Sequence, residues 1–265
     1  MQTYWKVFGI GLQDTFVYRW NFLLRCLFSL VPLFATMFVW RTISETQGEV
    51  GTYSYSEMVF YFVAVLIVEI FASPTEDEWR IAAEIRDGQI SAILIKPINH
   101  LVYRLSLFFS YRLIYSLITL PVIAAVLWLA RDQLRWPVHP ESWLFFGLAT
   151  AGSALIQFFI AYSLAMIAFW ILEVSTIIFL LYSFEYFLSG HVFPLDLLSP
   201  ALLSALKWTP FPYELFFPVE ILLERVHGRE LAHGFTAQFF WILITGWTAR
   251  TLWKRGVQVY QATGG

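Results

Sequence analysis

The sequence predicts an all-α membrane protein with six transmembrane helices, an N-terminal interfacial helix, a helical cytoplasmic loop and two outer re-entrant helices. Three observations carry this reading. First, 58% of the 265 residues are hydrophobic and only 14% charged, with a mean hydropathy of +0.64. A soluble domain carries about 25% charged residues, so too little polar surface is present for water to be the solvent. Second, six apolar runs approach or exceed the roughly 20 residues that cross a bilayer core as a helix. Third, tryptophans mark the ends of those runs, where amphipathic rings favour the interface. An ordinary soluble enzyme, a disordered tail and a nucleic-acid binder are excluded.

The spans are read at Phe22–Ile43, Ser56–Ala72, Leu101–Ala130, Ser142–Leu172, Val174–Val192 and Phe235–Trp253. Trp20 and Trp40 bracket the first, about 30 Å apart along a helix. Trp128, Trp136 and Trp143 surround the turn between the third and fourth, and Trp170 and Trp253 close the fourth and sixth. Leu172-Glu173-Val174 is read as a tight hairpin. Six spans put both termini on one side. With the termini inside, ten Lys and Arg residues flank the inner ends and six the outer, which favours cytoplasmic N- and C-termini. No basic stretch with a small-residue cleavage site opens the chain, so no cleaved signal peptide is expected.

Three segments lie between or before the spans. In residues 1–20, Trp5, Phe8, Leu12 and Phe16 recur at helical spacing opposite Gln2, Lys6, Gln13 and Asp14, as in a helix lying in the inner interface. Residues 73–98 hold eight of the 36 charged side chains, from Glu76 to Lys96. Ser73 and Pro74 read as the start of a helix with acids in its first turn. Arg86-Asp87-Gly88 breaks that helix, and Ile90, Ile93 and Leu94 form an apolar face before Pro97. Residues 191–234 are too apolar for a wet loop, yet Pro194, Pro200, Pro210, Pro212 and Pro218 prevent one continuous helix. Two short helices near Ser199–Trp208 and Phe217–Val226, dipping back into the outer leaflet, satisfy both facts.

The sequence offers little catalytic chemistry. Cys26 is the single cysteine, which excludes an internal disulfide and a cysteine-based zinc site. No HExxH occurs, no two histidines have metal-ligand spacing, and no lysine follows a glycine as a Walker A loop requires. His191 and Asp196 match an H-x4-D spacing found in some acyltransferases. They define the alternative of a membrane-embedded enzyme. A non-transporting scaffold binding through the charged loop is a second alternative. Intramembrane charge is the stronger signal, because each charge at mid-bilayer costs about 2.5–3.5 kcal/mol. Arg112 and Glu185 each sit about eleven residues into a span running the same way, a similar depth of roughly 16–18 Å, and an ion pair between them is expected. Glu69 and Glu173 fall near inner ends and read as interfacial.

Ile85-Arg-Asp-Gly-Gln-Ile-Ser-Ala-Ile-Leu-Ile-Lys-Pro97 resembles the loop of type-2 ABC exporter permeases, a charged Gly-broken helix followed by an apolar turn ending in proline. Ser189-Gly-His-Val-Phe-Pro-Leu-Asp196, followed by Pro200 and Thr209-Pro210, resembles their outer segment. The tail from Trp253-Lys-Arg-Gly-Val-Gln-Val-Tyr260 through Gly264 resembles that of stand-alone permeases. The resemblance implies a single permease domain over 1–265 in the plasma (inner) membrane. It implies that Glu84, Arg86, Asp87, Gly88 and Gln89 belong to a coupling helix docking on a separate ATP-binding subunit, which supplies ATP and Mg. It further implies a second permease chain, identical or related, a path past Arg112 and Glu185, and an outer gate with Gly190, Pro194, Pro200 and Pro210. Export of an amphipathic, lipid-linked, peptide or polysaccharide substrate follows, with no cofactor, metal or catalytic residue in this chain.

Overall fold

The computed structural model describes residues 2–17, 19–48, 51–74, 77–132, 134 and 136–260. Glu76, Arg135 and residues 261–265 lie outside them, as do the side chains of Gln2, Asp14, Phe16 and Arg19. The described residues are all-helical, without a β-strand. The α-helices are α1 (Gln2–Val17), α2 (Arg19–Gln47), α3 (Tyr55–Ala72), α4 (Asp77–Arg86), α5 (Ser91–Leu94), α6 (His100–Leu129), α7 (Pro140–Met166), α8 (Ser175–Leu188), α9 (Pro200–Leu206), α10 (Phe216–Leu222) and α11 (Gly228–Val259). Short 3-10 turns follow α7 and flank α9.

Among the described residues, α2, α3, α6 and α7 with the 3-10 turn that follows it are long and apolar enough to cross a membrane. The two remaining expected spans are also helical but differ in kind. α8 is apolar yet only 14 residues long, and α11 has 32 residues with charges at both ends. Pro32 and Pro121 sit inside α2 and α6, where each removes one backbone donor.

Local chemistry sets the helix ends. Ser54 and Glu57 form a capping box: Glu57 Oε2 accepts the Ser54 amide at 2.9 Å, and Ser54 Oγ accepts the Glu57 amide. Asn99 caps α6, and Pro140 occupies the first turn of α7. Ser73 does not start α4 as expected. Its amide bonds to the Glu69 carbonyl at 3.0 Å and ends α3, and α4 begins at Asp77. The hairpin after α7 is also longer than Leu172-Glu173-Val174. The chain tightens into a 3-10 turn at Ile167–Phe169, and Glu173 Oε1 accepts the Ser175 amide at 2.9 Å to begin α8.

α7 is the central post, packing against α3, α4, α10 and α11. Gly152 lies against Gln238, and Gly234 against Phe217, with no room for a Cβ. Small residues there let α11 close on α7 and α10 on α11. α3 is buried along most of its length. α6 carries α1, α2 and α3. α1 runs beside the N-terminal half of α6, with Gly11 against Ser110 and Tyr4 accepting the Asn99 amide at 3.0 Å. Trp5, on the apolar side of α1, points away from α6 and is 74% exposed. α8 has a single buried residue, Ile178, and most of α2 is likewise exposed within the chain.

Candidate functional site

The expected coupling residues lie where α4, the turn after it and α5 leave the bundle. Acids at the start of α4 and Arg86 at its end match the helix dipole. Gly88 has φ +76, a left-handed conformation glycine adopts without a Cβ penalty, and turns the chain so that Ile90 is fully buried while Arg86, Asp87 and Gln89 stay exposed. Leu94 and Ile95 extend this surface, Ile95 being 85% exposed. Asp77 and Arg80 form a 2.6 Å ion pair, and Arg80 also donates to Tyr111 Oη at 2.9 Å. Burial holds the Asp77 carboxyl above its ordinary range even so, with Arg80 opposing.

Glu84 differs from its four neighbours. It is bound to Arg104 of α6, whose side chain is 4% exposed, and so cannot serve as an open docking group. Arg104 Nε also donates to His100 Nε2 at 3.2 Å. That ring nitrogen must therefore accept, which leaves the proton on Nδ1 to donate to Tyr162 Oη at 2.7 Å. Trp253 of α11 stacks on the His100 ring at 4.1 Å. Tyr260 closes the assembly: its hydroxyl donates to the Gly88 carbonyl at 3.2 Å and lies 2.8 Å from Ser91 Oγ. The coupling turn is thus clamped to α6, α7 and α11. Sequence reading missed Arg104, His100, Tyr162 and Tyr260; the His and Arg four residues apart at the head of a span were the available signal.

Arg112 and Glu185 are not brought together. Arg112 donates to the carbonyls of Ile70 (3.2 Å) and Glu69 (3.5 Å) at the end of α3 and lies over the Phe108 and Tyr115 rings. Glu185 instead faces Glu214, a fully buried acid in the stretch between α9 and α10, with His191 and Glu69 nearby. Burial first, and the Glu185 carboxyl second, hold the Glu214 carboxyl well above its ordinary range. The Tyr182 hydroxyl lies buried near these carboxyls and near Glu78 of α4, without a hydrogen-bond partner of its own among the described residues. Glu69 is more than interfacial: its carboxylate lies 2.9 Å from His191 Nε2, and the His191 ring stacks on Tyr186. The side chains of Glu69 and Tyr186 remain partly exposed on the α3–α8 face. Glu214 was a missed signal, an isolated acid in an apolar proline-rich stretch.

The outer segment folds onto the same network. The Glu214 carbonyl accepts from Ser153 Oγ and from Gln157 Nε2 (3.4 Å), and the Tyr213 carbonyl from Gln238 Nε2 (3.0 Å). Ser153 lies thirteen residues, roughly 20 Å, into α7. Gly190 ends α8 with φ +101, and its carbonyl accepts from Tyr61 Oη at 2.7 Å. Pro194 is buried before a 3-10 turn, Pro200 opens α9 on the surface, and Pro210 opens the turn at Phe211–Tyr213. His191 and Asp196 are apart in function. Asp196 joins Tyr53 (3.0 Å) and Arg225 (3.3 Å), while His191 holds Glu69 and Ser189. His191 and Asp196 therefore do not pair with each other.

Around Asp196, the Tyr53 hydroxyl also lies 3.0 Å from Glu220 Oε1, and Arg225 lies 3.6 Å over the Tyr53 ring while bonding the Thr52 carbonyl. This ties the outer segment to the head of α3. Among the described residues no group of His, Cys, Asp and Glu is arranged to hold a metal ion. A family model described as ABC-2 family transporter protein matches residues 30–264. No curated protein matches the chain.

Proposed function

We propose, since this chain belongs to the ABC-2 family of transporter proteins, that it is the permease subunit of an ATP-driven exporter whose ATP and Mg sites lie in a separate subunit. One observation carries this reading. The α4–α5 turn presents Arg86, Asp87, Gln89 and Ile95 outward and is clamped inward by Glu84–Arg104 and Gly88–Tyr260. A surface that both meets a partner and is fixed to several helices is what transmits a push. Movement of the turn would act on α6 through Arg104 and on α11 through Tyr260. The chain itself forms and breaks no covalent bond.

The membrane arrangement we infer has six spans, with α8 short because the outer segment dips in to meet it. The contacts of the Glu214 carbonyl with Ser153 and Gln157 of mid-α7 support this re-entrant reading. Both termini are placed in the cytoplasm and the chain in the plasma membrane. A second permease chain, identical or related, would cover the α3–α8 face. The support is energetic: Glu69, Glu185 and His191 at that depth would be costly against hydrocarbon, whereas a wet path between two chains satisfies them. Glu185 then lines the path of an amphipathic, lipid-linked, peptide or polysaccharide cargo. The test is whether the purified chain brings an ATP-hydrolysing subunit with it.

A further inference from the structure

A cavity of about 510 Å³ runs between α1, α3, α6 and α7 beside Arg112. Its walls are the rings of Phe8, Phe71, Phe109 and Phe146. Ligand sites occupy roughly 300–1,000 Å³ and combine apolar walls with a few placed polar groups. Here those groups are Arg112, Ser116 and Thr150, each less than a tenth exposed. Arg112 Nε and both hydroxyl oxygens lack a hydrogen-bond partner. An arginine can only donate, and hydroxyls turn to donate where an acceptor arrives. The two α3 carbonyls on Arg112 Nη1 supply only the partial negative end of a helix dipole. Three unanswered polar groups in an apolar slot call for an acceptor attached to a long apolar body.

We propose that this groove binds an anionic amphiphile, with its acyl chain along the phenylalanine walls and a carboxylate or phosphate against Arg112, Ser116 and Thr150. The chemistry fits a fatty acid or an acidic phospholipid drawn from the surrounding leaflet. The inference does not depend on coupling to an ATPase, because it rests only on the groove and its unsatisfied groups. α1 supplies Phe8, so occupancy would also fix α1 against α6.

The experiment uses the purified full chain in neutral-lipid nanodiscs with three photo-crosslinking probes of one chain length: a diazirine fatty acid, a diazirine phosphatidate and the matching diazirine alcohol. At least one acid is expected to label α6 and α7 peptides about tenfold more than the alcohol, equivalent to ~1.4 kcal/mol. Whichever acid labels identifies the source. Gly147 lines the groove, and a Cβ there meets open space, so Gly147→Phe fills the slot without disturbing packing. That variant should keep its melting temperature and lose the labelling. Arg112→Gln should lose the preference for the acid, and Arg112→Lys should keep it. Equal labelling by acid and alcohol overturns the proposal, as does undiminished labelling of Gly147→Phe. These two readouts decide even where Arg112→Gln fails to fold.

Discussion

The Tyr260 hydroxyl donates to the carbonyl oxygen of Gly88 at 3.2 Å, joining the end of the last helix to the turn between α4 and α5 across 172 residues of chain. The same hydroxyl lies 2.8 Å from Ser91 Oγ. Tyr260→Phe removes both bonds and keeps the ring packed on Phe169. A net hydrogen bond is worth about 0.5–1.5 kcal/mol, so the fold should survive while the turn loosens. Amide exchange across Asp87–Ala92 is expected to accelerate severalfold, with exchange in mid-α7 unchanged.

Glu84 and Arg104 form the deeper anchor. Removing one partner of a buried pair leaves an uncompensated charge and costs about 3–5 kcal/mol. Glu84→Leu should therefore lower the melting temperature sharply, because Arg104 keeps His100 and the Tyr103 ring but no carboxylate bonded to it among the described residues. The double variant Glu84→Leu with Arg104→Met should recover much of that loss. Thermal unfolding of the two singles and the double checks the coupling, and strictly additive losses would count against it.

The outer clasp should be weakened by alkali. Burial, and then the Asp196 carboxylate, raise the Glu220 carboxyl to about 8. A carboxyl raised in the folded state binds a proton that the unfolded chain has already released. Stability then falls as pH rises from about 5 to about 8 and levels off above. Asp196, also raised mainly by burial, adds a slope of the same sign at the acid end. Glu220→Gln should flatten the decline between pH 6 and 8 and raise the melting temperature at pH 8. It keeps an oxygen for the Tyr53 hydroxyl.

A second chain against α8 makes a further prediction. In a Cys26→Ser background, Phe184→Cys places a thiol on the 62% exposed side of α8. Mild oxidation is expected to link two chains at that site. Leu144→Cys, 63% exposed on α7, serves as the lipid-facing control and should stay uncrosslinked. Equal crosslinking at both positions would remove the argument for a specific interface.

What could be read in advance follows from what local chemistry determines. Apolar runs and their caps are local, so the helices around Ser54, Asn99 and Pro140 were legible to within a few residues. The Gly88 break and the two short helices among the outer prolines were legible for the same reason. The Arg112–Glu185 pair failed because counting residues into a span gives depth but not direction around the helix. Arg112 turns to the end of α3, and Glu185 to an outer segment whose path the spans do not determine. Ser73 failed as a cap because its amide was already claimed by the last turn of α3. Glu84–Arg104 and Gly88–Tyr260 were invisible because both cross between elements joined only through the tertiary fold.

The most direct test of the coupling claim is affinity purification from native membranes in mild detergent, with ATP hydrolysis measured in the eluate. The wild-type chain should bring down a separate subunit with Mg-dependent ATPase activity. Ile95→Glu alters a side chain that is 85% exposed and should leave the melting temperature unchanged. That variant is expected to lose most of the co-purified ATPase. An eluate without ATPase from the wild type, or one equally active from Ile95→Glu, would contradict the account.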